Sequence, residues 1–218
     1  NTSGQIIANQ DVSTLSQGLV NDLGQIGSVQ AKVSLDAGTG DISNQSGQIQ
    51  AAQDLSLHAF TLNNQSGLVA TNNQLTLDVQ QLNNQNGQLS GGDTIQIDAT
   101  HLNNQAGSIQ TGSDLTLNID GVLDNSQSGQ LTSGSNTQIK AGLVKNSERG
   151  QINVQGTLNV DAVKVIENQL GVMVASQDVT LHSQALHNTQ GQIGSVKGGL
   201  TVDVDQGQLL NQSGSLQA

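Results

Sequence analysis

The sequence has no cysteine, proline, tryptophan or tyrosine, and its aromatic content is the single residue Phe60. The lack of cysteine excludes a disulfide framework and thiolate zinc sites. Charged residues are also scarce, at 11% of the chain. Hydrophobic residues, nearly all aliphatic or alanine, still make up 33% of the chain, so it lacks the low hydrophobicity of a disordered protein. The composition therefore predicts a folded protein with a thin aliphatic core, which would be rare for a globular enzyme.

The few charges are mostly negative. Seventeen acidic residues against 6 basic residues give a formal net charge of −11, which repels phosphate backbones. Since the chain also lacks base-stacking aromatics, the sequence argues against nucleic acid as a partner. No apolar run approaches the roughly 18 residues of a membrane span. The first ten residues lack the basic start and apolar segment of a signal peptide, so we expect any targeting signal to lie outside this chain.

What the sequence does contain is a repeat, most visible in three consecutive copies that begin LNNQSG, LNNQNG and LNNQAG. Self-similarity at a fixed period indicates one structural unit copied many times. A glycine anchors each copy, and successive anchors lie 20 to 23 residues apart, so that eleven anchors define ten coils. The anchors are Gly4, Gly24, Gly47, Gly67, Gly87, Gly107, Gly129, Gly150, Gly171, Gly191 and Gly214.

Three short apolar segments recur in each coil. An aliphatic residue or methionine stands two residues after every anchor, from Ile6 to Leu216. An alternating pair follows, such as Leu75 and Leu77, and alternation marks a strand with one buried face. A third apolar position precedes the next anchor. The unit is too short for a helix pair and shows no helical period. We therefore predict an all-β fold, a right-handed, three-sided parallel β-helix that forms a single domain over residues 1–218.

An asparagine follows the third apolar position by two residues in ten coils. In a parallel stack, identical side chains lie about 4.8 Å apart, so that amides can donate and accept along the column. We predict an inward asparagine ladder that sets the register, while aliphatic stacking supplies most of the stability. Its members are Asn21, Asn44, Asn64, Asn84, Asn104, Asn125, Asn146, Asn168, Asn188 and Asn211.

The anchors from Gly24 to Gly214 are interpreted as turn glycines, because glycine reaches positive φ without steric cost. The longest coils carry insertions near residues 38–40 and 205–207, between the second and third apolar segments. Such insertions are typical of surface loops that vary without disturbing a solenoid core. Both ends of the sequence break off within a coil, so we expect the natural protein to continue on both sides.

The repeat resembles a known family. The LNNQSG, LNNQNG and LNNQAG segments, followed by DLTL-like segments, are similar to the haemagglutinin repeats of filamentous haemagglutinin-type exoproteins. The resemblance covers nearly the whole chain. That group includes adhesins, haemolysins and the effector sticks of contact-dependent growth inhibition. The resemblance implies export by an outer-membrane secretion partner and a right-handed β-helical filament. The sequence has no NPNG-like or NPNL-like secretion motif and no toxin-like domain, so the resemblance implies a shaft segment.

Residues capable of chemistry do not converge in the sequence. We interpret the histidines as exposed structural residues, because metal ligands must meet at one point; they are His58, His101, His182 and His187. Aspartates that recur before the second strand are assigned to turns, where they bond neighbouring backbone; they are Asp11, Asp54, Asp93, Asp114 and Asp178. The calcium-binding nonapeptide of β-rolls is absent. We therefore expect neither a metal ion nor a cofactor.

Parallel β-helices also serve as polysaccharide lyases and hydrolases, which is the enzyme alternative. Glycoside hydrolysis needs two carboxylates within several ångströms, usually beside aromatic platforms. Asp203 lies near Asp205 in sequence, and Asp120 near Asp124, but no aromatic residue surrounds either pair. A GxSxG elbow and a phosphate-binding loop are also absent. The sequence therefore favours a protein that is not an enzyme and has no small-molecule substrate.

The favoured function is structural: a shaft segment of a large secreted, cell-surface adhesin or growth-inhibition effector, which holds a distal binding or toxin region away from the bacterium. The alternative is a binding module, in which loops at residues 38–41 and 203–207 recognise a host glycan or a bacterial receptor. Both hypotheses use the same fold, so the repeat pattern does not separate them.

Overall fold

The computed structural model describes residues 1–205 and 207–218. These residues form strands, turns and bends, and none of them lies in a helix that could cross a membrane. The strands in chain order are β1 (Gln5–Ala8), β2 (Val12–Leu15), β3 (Leu19–Val20), β4 (Gln25–Ser28), β5 (Val33–Asp36), β6 (Asp41–Ser43), β7 (Gln48–Ala51), β8 (Leu55–Asn63), β9 (Leu68–Thr71), β10 (Leu75–Asn83), β11 (Gln88–Gly91), β12 (Ile95–Asn103), β13 (Ser108–Thr111), β14 (Leu115–Asp124), β15 (Gln130–Ser133), β16 (Thr137–Lys145), β17 (Gln151–Val154), β18 (Leu158–Glu167), β19 (Val172–Ala175), β20 (Val179–His187), β21 (Gln192–Ser195), β22 (Leu200–Val204), β23 (Leu209–Leu210) and β24 (Ser215–Gln217).

The strands form two parallel sheets that run the length of the stack. The first has 11 strands in the order β1-β4-β7-β9-β11-β13-β15-β17-β19-β21-β24. The second has 13 strands, with the main path β2-β5-β8-β10-β12-β14-β16-β18-β20-β22 and with β3, β6 and β23 paired beside it. Each strand pairs with its copy one coil away. The prediction of an all-β stack of parallel coils, about ten in number, is confirmed.

Aliphatic side chains form the continuous columns that the repeat predicts. Ile6 is the register partner of Ile26, and Leu75 is the register partner of both Leu55 and Ile95. Ile6, in the first coil, is 43% exposed, whereas its partner Ile26 is buried and Leu75 has 0% of its surface exposed. Burial of each such side chain contributes about 1.5–3 kcal/mol, which makes these columns the main source of stability.

The second and third apolar segments are not separate strands in most coils, which differs from the prediction of three short strands. They join into strands of 9 or 10 residues, such as β8 and β10. In β8 the side chains of Leu55, Leu57 and Ala59 point inward, then two successive residues face outward before Leu62 is buried again. This change of alternation turns the strand at a corner of the coil while its backbone stays extended.

The two segments remain separate strands only near the ends of the described stack, as β2 and β3, β5 and β6, and β22 and β23. The insertion at residues 38–40 lies between β5 and β6. Gly38 has a φ of 57°, and its N–H donates to the Asp36 Oδ1 atom at 2.7 Å. The second insertion follows β22, and its residue 206 lies outside the described residues.

The seventh coil keeps a polar pair inside the core. Thr137 stands where other coils have an aliphatic residue, and it is 1% exposed. Its hydroxyl lies 2.7 Å from the Ser133 hydroxyl, which is itself buried. The Ser133 hydroxyl also donates to the Ser135 carbonyl oxygen at 3.2 Å. Because both buried hydroxyls have hydrogen-bond partners, the coil tolerates the loss of one aliphatic side chain.

Candidate functional site

The ten asparagines predicted to stack lie in one column inside the solenoid. Those from Asn21 to Asn188 have 0% of their surface exposed, and Asn211 is partly exposed. In every step the Nδ2 atom of one residue donates to the Oδ1 atom of the next, at 2.7–2.8 Å. Asn1 adds an eleventh member, because its Nδ2 donates to Asn21 Oδ1 at 2.7 Å. The column is therefore continuous from the first coil to the last.

Each amide in the column also closes a turn. The Asn84 Nδ2 group lies 3.3 Å from the carbonyl oxygen of Gly87 in its own coil and 3.3 Å from that of Ser108 in the next coil. The side chain thus donates to two backbone carbonyls, one in its own coil and one in the next, as well as to the next amide. Since buried polar groups need partners, the asparagine fixes both the turn and the register between coils.

The prediction that the anchor glycines adopt a positive φ is wrong. Among the described residues, Gly38 is the glycine with a positive φ, and none of the anchors from Gly24 to Gly214 has one. The anchors instead lie against the neighbouring coil. A Cβ atom on Gly87 would lie 2.2 Å from the carbonyl oxygen of Asn64 and 2.7 Å from Asn84 Oδ1. Glycine is needed because the asparagine ladder leaves no space for a side chain there.

The left-handed conformation falls on the residue just before each anchor, which the sequence analysis missed. Non-glycine residues adopt φ values of 52–69° in this column. In the two coils with one extra residue at this turn, two successive residues adopt it. The side chains vary widely in chemistry, so their position beside the anchor was the only available signal. They are Ser3, Leu23, Ser46, Ser66, Asn86, Ala106, Gln127, Ser128, Glu148, Arg149, Leu170, Gln190 and Ser213.

A shallow groove of about 420 Å³ follows this turn column over five coils. Small and polar residues line it, among them Ser46, Ser66 and Asn86. Its lining contains no aspartate, glutamate, histidine or lysine. The groove therefore lacks the paired carboxylates that glycoside hydrolysis requires.

A second column, rich in charged side chains, runs along the outward face of the second sheet. Register pairs place its members one above another from coil to coil, and some neighbours are in direct contact. His58 Nδ1 lies 3.1 Å from Asp78 Oδ2, and Asn118 Nδ2 donates to Asp98 Oδ1 at 2.7 Å. The members are Asp36, His58, Asp78, Asp98, Asn118, Lys140, Asp161, His182 and Asp203.

The prediction that all four histidines are exposed holds for His58 and His101, whereas His182 and His187 are half-buried. His182 is flanked by carboxylates of adjacent coils. Its Nδ1 atom lies 2.9 Å from Asp161 Oδ1, and its Nε2 atom lies 3.3 Å from Asp205 Oδ1. The hydrogen bond to Asp161, followed by that to Asp205, raises the pKa of His182 above its ordinary value of 6.5.

Three of the aspartates before the second strand, Asp11, Asp114 and Asp178, accept from backbone N–H groups of the adjacent coil rather than of their own turn. Asp114 Oδ1 accepts from the Asn136 N–H at 2.9 Å, and Asp178 Oδ1 accepts from the Gly199 N–H at 2.7 Å. Asp54 instead pairs with Lys32 Nζ at 2.7 Å. The hydrogen bond from Lys32 lowers the pKa of the Asp54 carboxyl below its ordinary value. These contacts connect adjacent coils.

Comparison with known proteins gives one kind of match. A family model described as the haemagglutinin repeat matches residues 1–59, 61–106, 94–162 and 163–218, which together cover nearly the whole chain. No match was found among curated proteins or among solved structures. The matched segments contain the asparagine ladder, the anchor glycines and the LNNQSG-type segments, and they confirm the resemblance to filamentous haemagglutinin-type repeats. The chain belongs to the haemagglutinin repeat family.

Proposed function

We propose that this chain is a shaft segment of a large secreted, cell-surface filamentous protein, either an adhesin or a growth-inhibition effector, that carries a distal binding or toxin region. The observation that supports this most directly is the regular stacking of the coils. Both sheets continue from coil to coil with parallel register, and the asparagine column runs through all of them. Ten coils at about 4.8 Å each form a rod roughly 50 Å long.

The surface also supports a spacer. Binding hot spots are enriched in aromatic residues and arginine. This chain has Phe60, which is 50% exposed, as its one aromatic side chain. The other exposed large apolar residues of the described stack are aliphatic, such as Leu15 and Val196. In this proposal the longer protein leaves the bacterium through an outer-membrane secretion partner and remains on the cell surface.

A display experiment tests the spacer role. The chain is placed between an outer-membrane anchor and a short peptide epitope on the bacterial surface, and antibody access to the epitope is measured by flow cytometry. We expect much stronger labelling than when the epitope sits directly on the anchor. A flexible linker of equal residue number serves as the control for length alone. Labelling no better than that of the direct fusion would contradict a shaft.

The alternative, a binding module, is tested with the isolated chain. Fluorescently labelled protein is titrated onto host cells and onto Gram-negative bacteria, together with the charge-reversal variants Asp41→Lys and Asp203→Lys. A shaft should show no saturable binding, and neither substitution should alter the signal. Saturable binding that either reversal removes would replace the shaft by a receptor-binding role for the surface around Asp41 or Asp203.

A further inference from the structure

Three side chains capable of binding metal converge on the outward face near the last coils. His182 lies in β20, Asp203 is its register partner in β22, and Asp205 follows β22. One nitrogen of His182 and one oxygen of each carboxylate lie within 4.8 Å of one another. Asp203 lies in β22 and Asp205 in the bend just after it, and both carboxylates reach the same side of His182. The backbone N–H of Asp205 donates to the Ser183 carbonyl at 3.1 Å, which fixes its position.

The imidazole of His182 is oriented for a ligand. Asp161 in β18 holds the Nδ1 atom at 2.9 Å, which leaves Nε2 facing Asp205 of the following coil. A carboxylate on the far ring nitrogen is the usual way in which proteins fix the tautomer of a metal-binding histidine. The 3.3 Å between His182 Nε2 and Asp205 Oδ1 is close to the spacing of about 3.4 Å expected for two tetrahedral zinc ligands at roughly 2.0–2.1 Å from the ion.

The charge around this group favours a cation. Three carboxylates, those of Asp161, Asp203 and Asp205, surround one imidazole. Within the described part of the chain, Asp161 and Asp205 form ion pairs with His182, and none of the three carboxylates pairs with a lysine or arginine. The side chains of Asp161 and Asp205 are 62% and 53% exposed, so an ion from solution has access to the cluster.

We propose that His182, Asp203 and Asp205 bind one divalent transition-metal ion, such as Zn²⁺, and that Asp161 is a positioning residue. Imidazole nitrogen combined with carboxylate oxygen suits zinc and its neighbours, whereas calcium and magnesium prefer oxygen ligands alone. The ion joins two successive coils at the point where β22 and β23 are separate strands. Its role is to fasten this irregular coil to the regular stack.

His58 provides a matched control on the same face of the rod. It stands in the same outward column as His182 and also has a carboxylate on Nδ1, since Asp78 Oδ2 lies 3.1 Å away. Within the described residues it belongs to no cluster of three converging ligands. A zinc ion that binds surface histidines without selectivity would use both positions, whereas the proposed site uses His182 alone.

The test is calorimetric titration of ZnCl₂ into the 218-residue protein, free of any polyhistidine tag and stripped of metal with a chelator. We expect one zinc per chain. His182→Asn, Asp203→Asn and Asp205→Asn should each abolish or greatly weaken this binding. Asp161→Asn should weaken it by roughly 10–100-fold through loss of imidazole orientation. Excess CaCl₂ or MgCl₂ should not displace the zinc.

Circular dichroism melting of the metal-free variants separates binding from folding. All four should melt close to the metal-free parent, because the substituted side chains are at least partly exposed, and zinc should raise the melting temperature of the parent but not of His182→Asn. Zinc binding that is unchanged in His182→Asn, or that His58→Asn reduces equally, would overturn the proposal. So would calcium binding that is tighter than zinc binding.

Discussion

At the scale of single residues, close packing between coils explains the anchor glycines better than backbone freedom. The sequence shows that a glycine recurs, but two different causes produce the same pattern. One is a positive φ and the other is lack of space for a Cβ atom. Only the position of the adjacent coil distinguishes the two causes. The atom nearest to a Cβ placed on Gly107 is the carbonyl oxygen of Asn84, about one coil away in the sequence.

Two adjacent residues offer a test of this explanation. Ala106 has a φ of 53°, which costs a non-glycine residue about 1–2 kcal/mol. Ala106→Gly should therefore raise the free energy of unfolding by about 1 kcal/mol. At Gly107, a Cβ atom would lie 2.2 Å from the Asn84 carbonyl oxygen. Gly107→Ala should therefore lower stability by about 2 kcal/mol or more. Urea denaturation measures both, and equal effects of the same sign would contradict the assignment.

The position of the asparagine ladder and its inward orientation were predictable, because the same polar residue at one offset in ten coils has few explanations other than self-pairing. The backbone contacts of each amide were not predictable, since they depend on the depth of the column. Asn84 accepts from Asn64 at 2.8 Å and donates to Asn104 at 2.7 Å. Both neighbours would lose a partner if this amide were removed.

Asn84→Leu should lower the free energy of unfolding by about 2–4 kcal/mol, because two buried amides are left with an unsatisfied group. Gln110→Leu, on the exposed side of β13, is the control and should change stability by no more than about 0.5 kcal/mol. Thermal or urea unfolding of the two variants gives the comparison. Similar losses in both would show that the buried amides do not hold the coils in register.

At the scale of the strands, the burial pattern was readable from the sequence but the strand boundaries were not. Alternating apolar residues located β10 correctly, and Leu75 and Leu77 are both buried. The continuation of this strand to Asn83 was missed, because two outward residues in succession look like a loop in sequence. In the structure they form a corner within an extended strand. Coils with 10-residue strands, such as β14, absorb the extra residue as a bulge.

Because each coil contacts mainly its neighbours, whole coils should be removable. Deletion of residues 68–107 removes two coils of 20 residues each. It joins the anchor Gly67 to Ser108, which follows the anchor Gly107 in the native chain. The shortened protein should keep its β-type circular dichroism spectrum and unfold cooperatively. Deletion of residues 68–97 removes a coil and a half and should prevent folding. Loss of structure in the in-register deletion would contradict a stack of equivalent coils.

At the scale of the whole molecule, the repeat predicted the architecture because the same strand pairings and the same asparagine contact recur between adjacent coils. The proposed metal cluster was not predictable in the same way. The cluster forms between His182 and aspartates of the two adjacent coils. Because coil length varies from 20 to 23 residues, the sequence does not show that these side chains are in register. The register of β20 and β22 reveals it.

In a stacked solenoid, equivalent outward residues of successive coils lie at equal steps along the rod. The lack of cysteine allows nitroxide labels to be placed in pairs by substitution to cysteine. Ser34 lies in the same column as Gln96, Gln138 and Thr180, which are three, five and seven coils away. Pulsed electron double resonance should give distances of about 14, 24 and 34 Å, at roughly 4.8 Å per coil. Distances that do not increase with coil number would contradict the stacked solenoid.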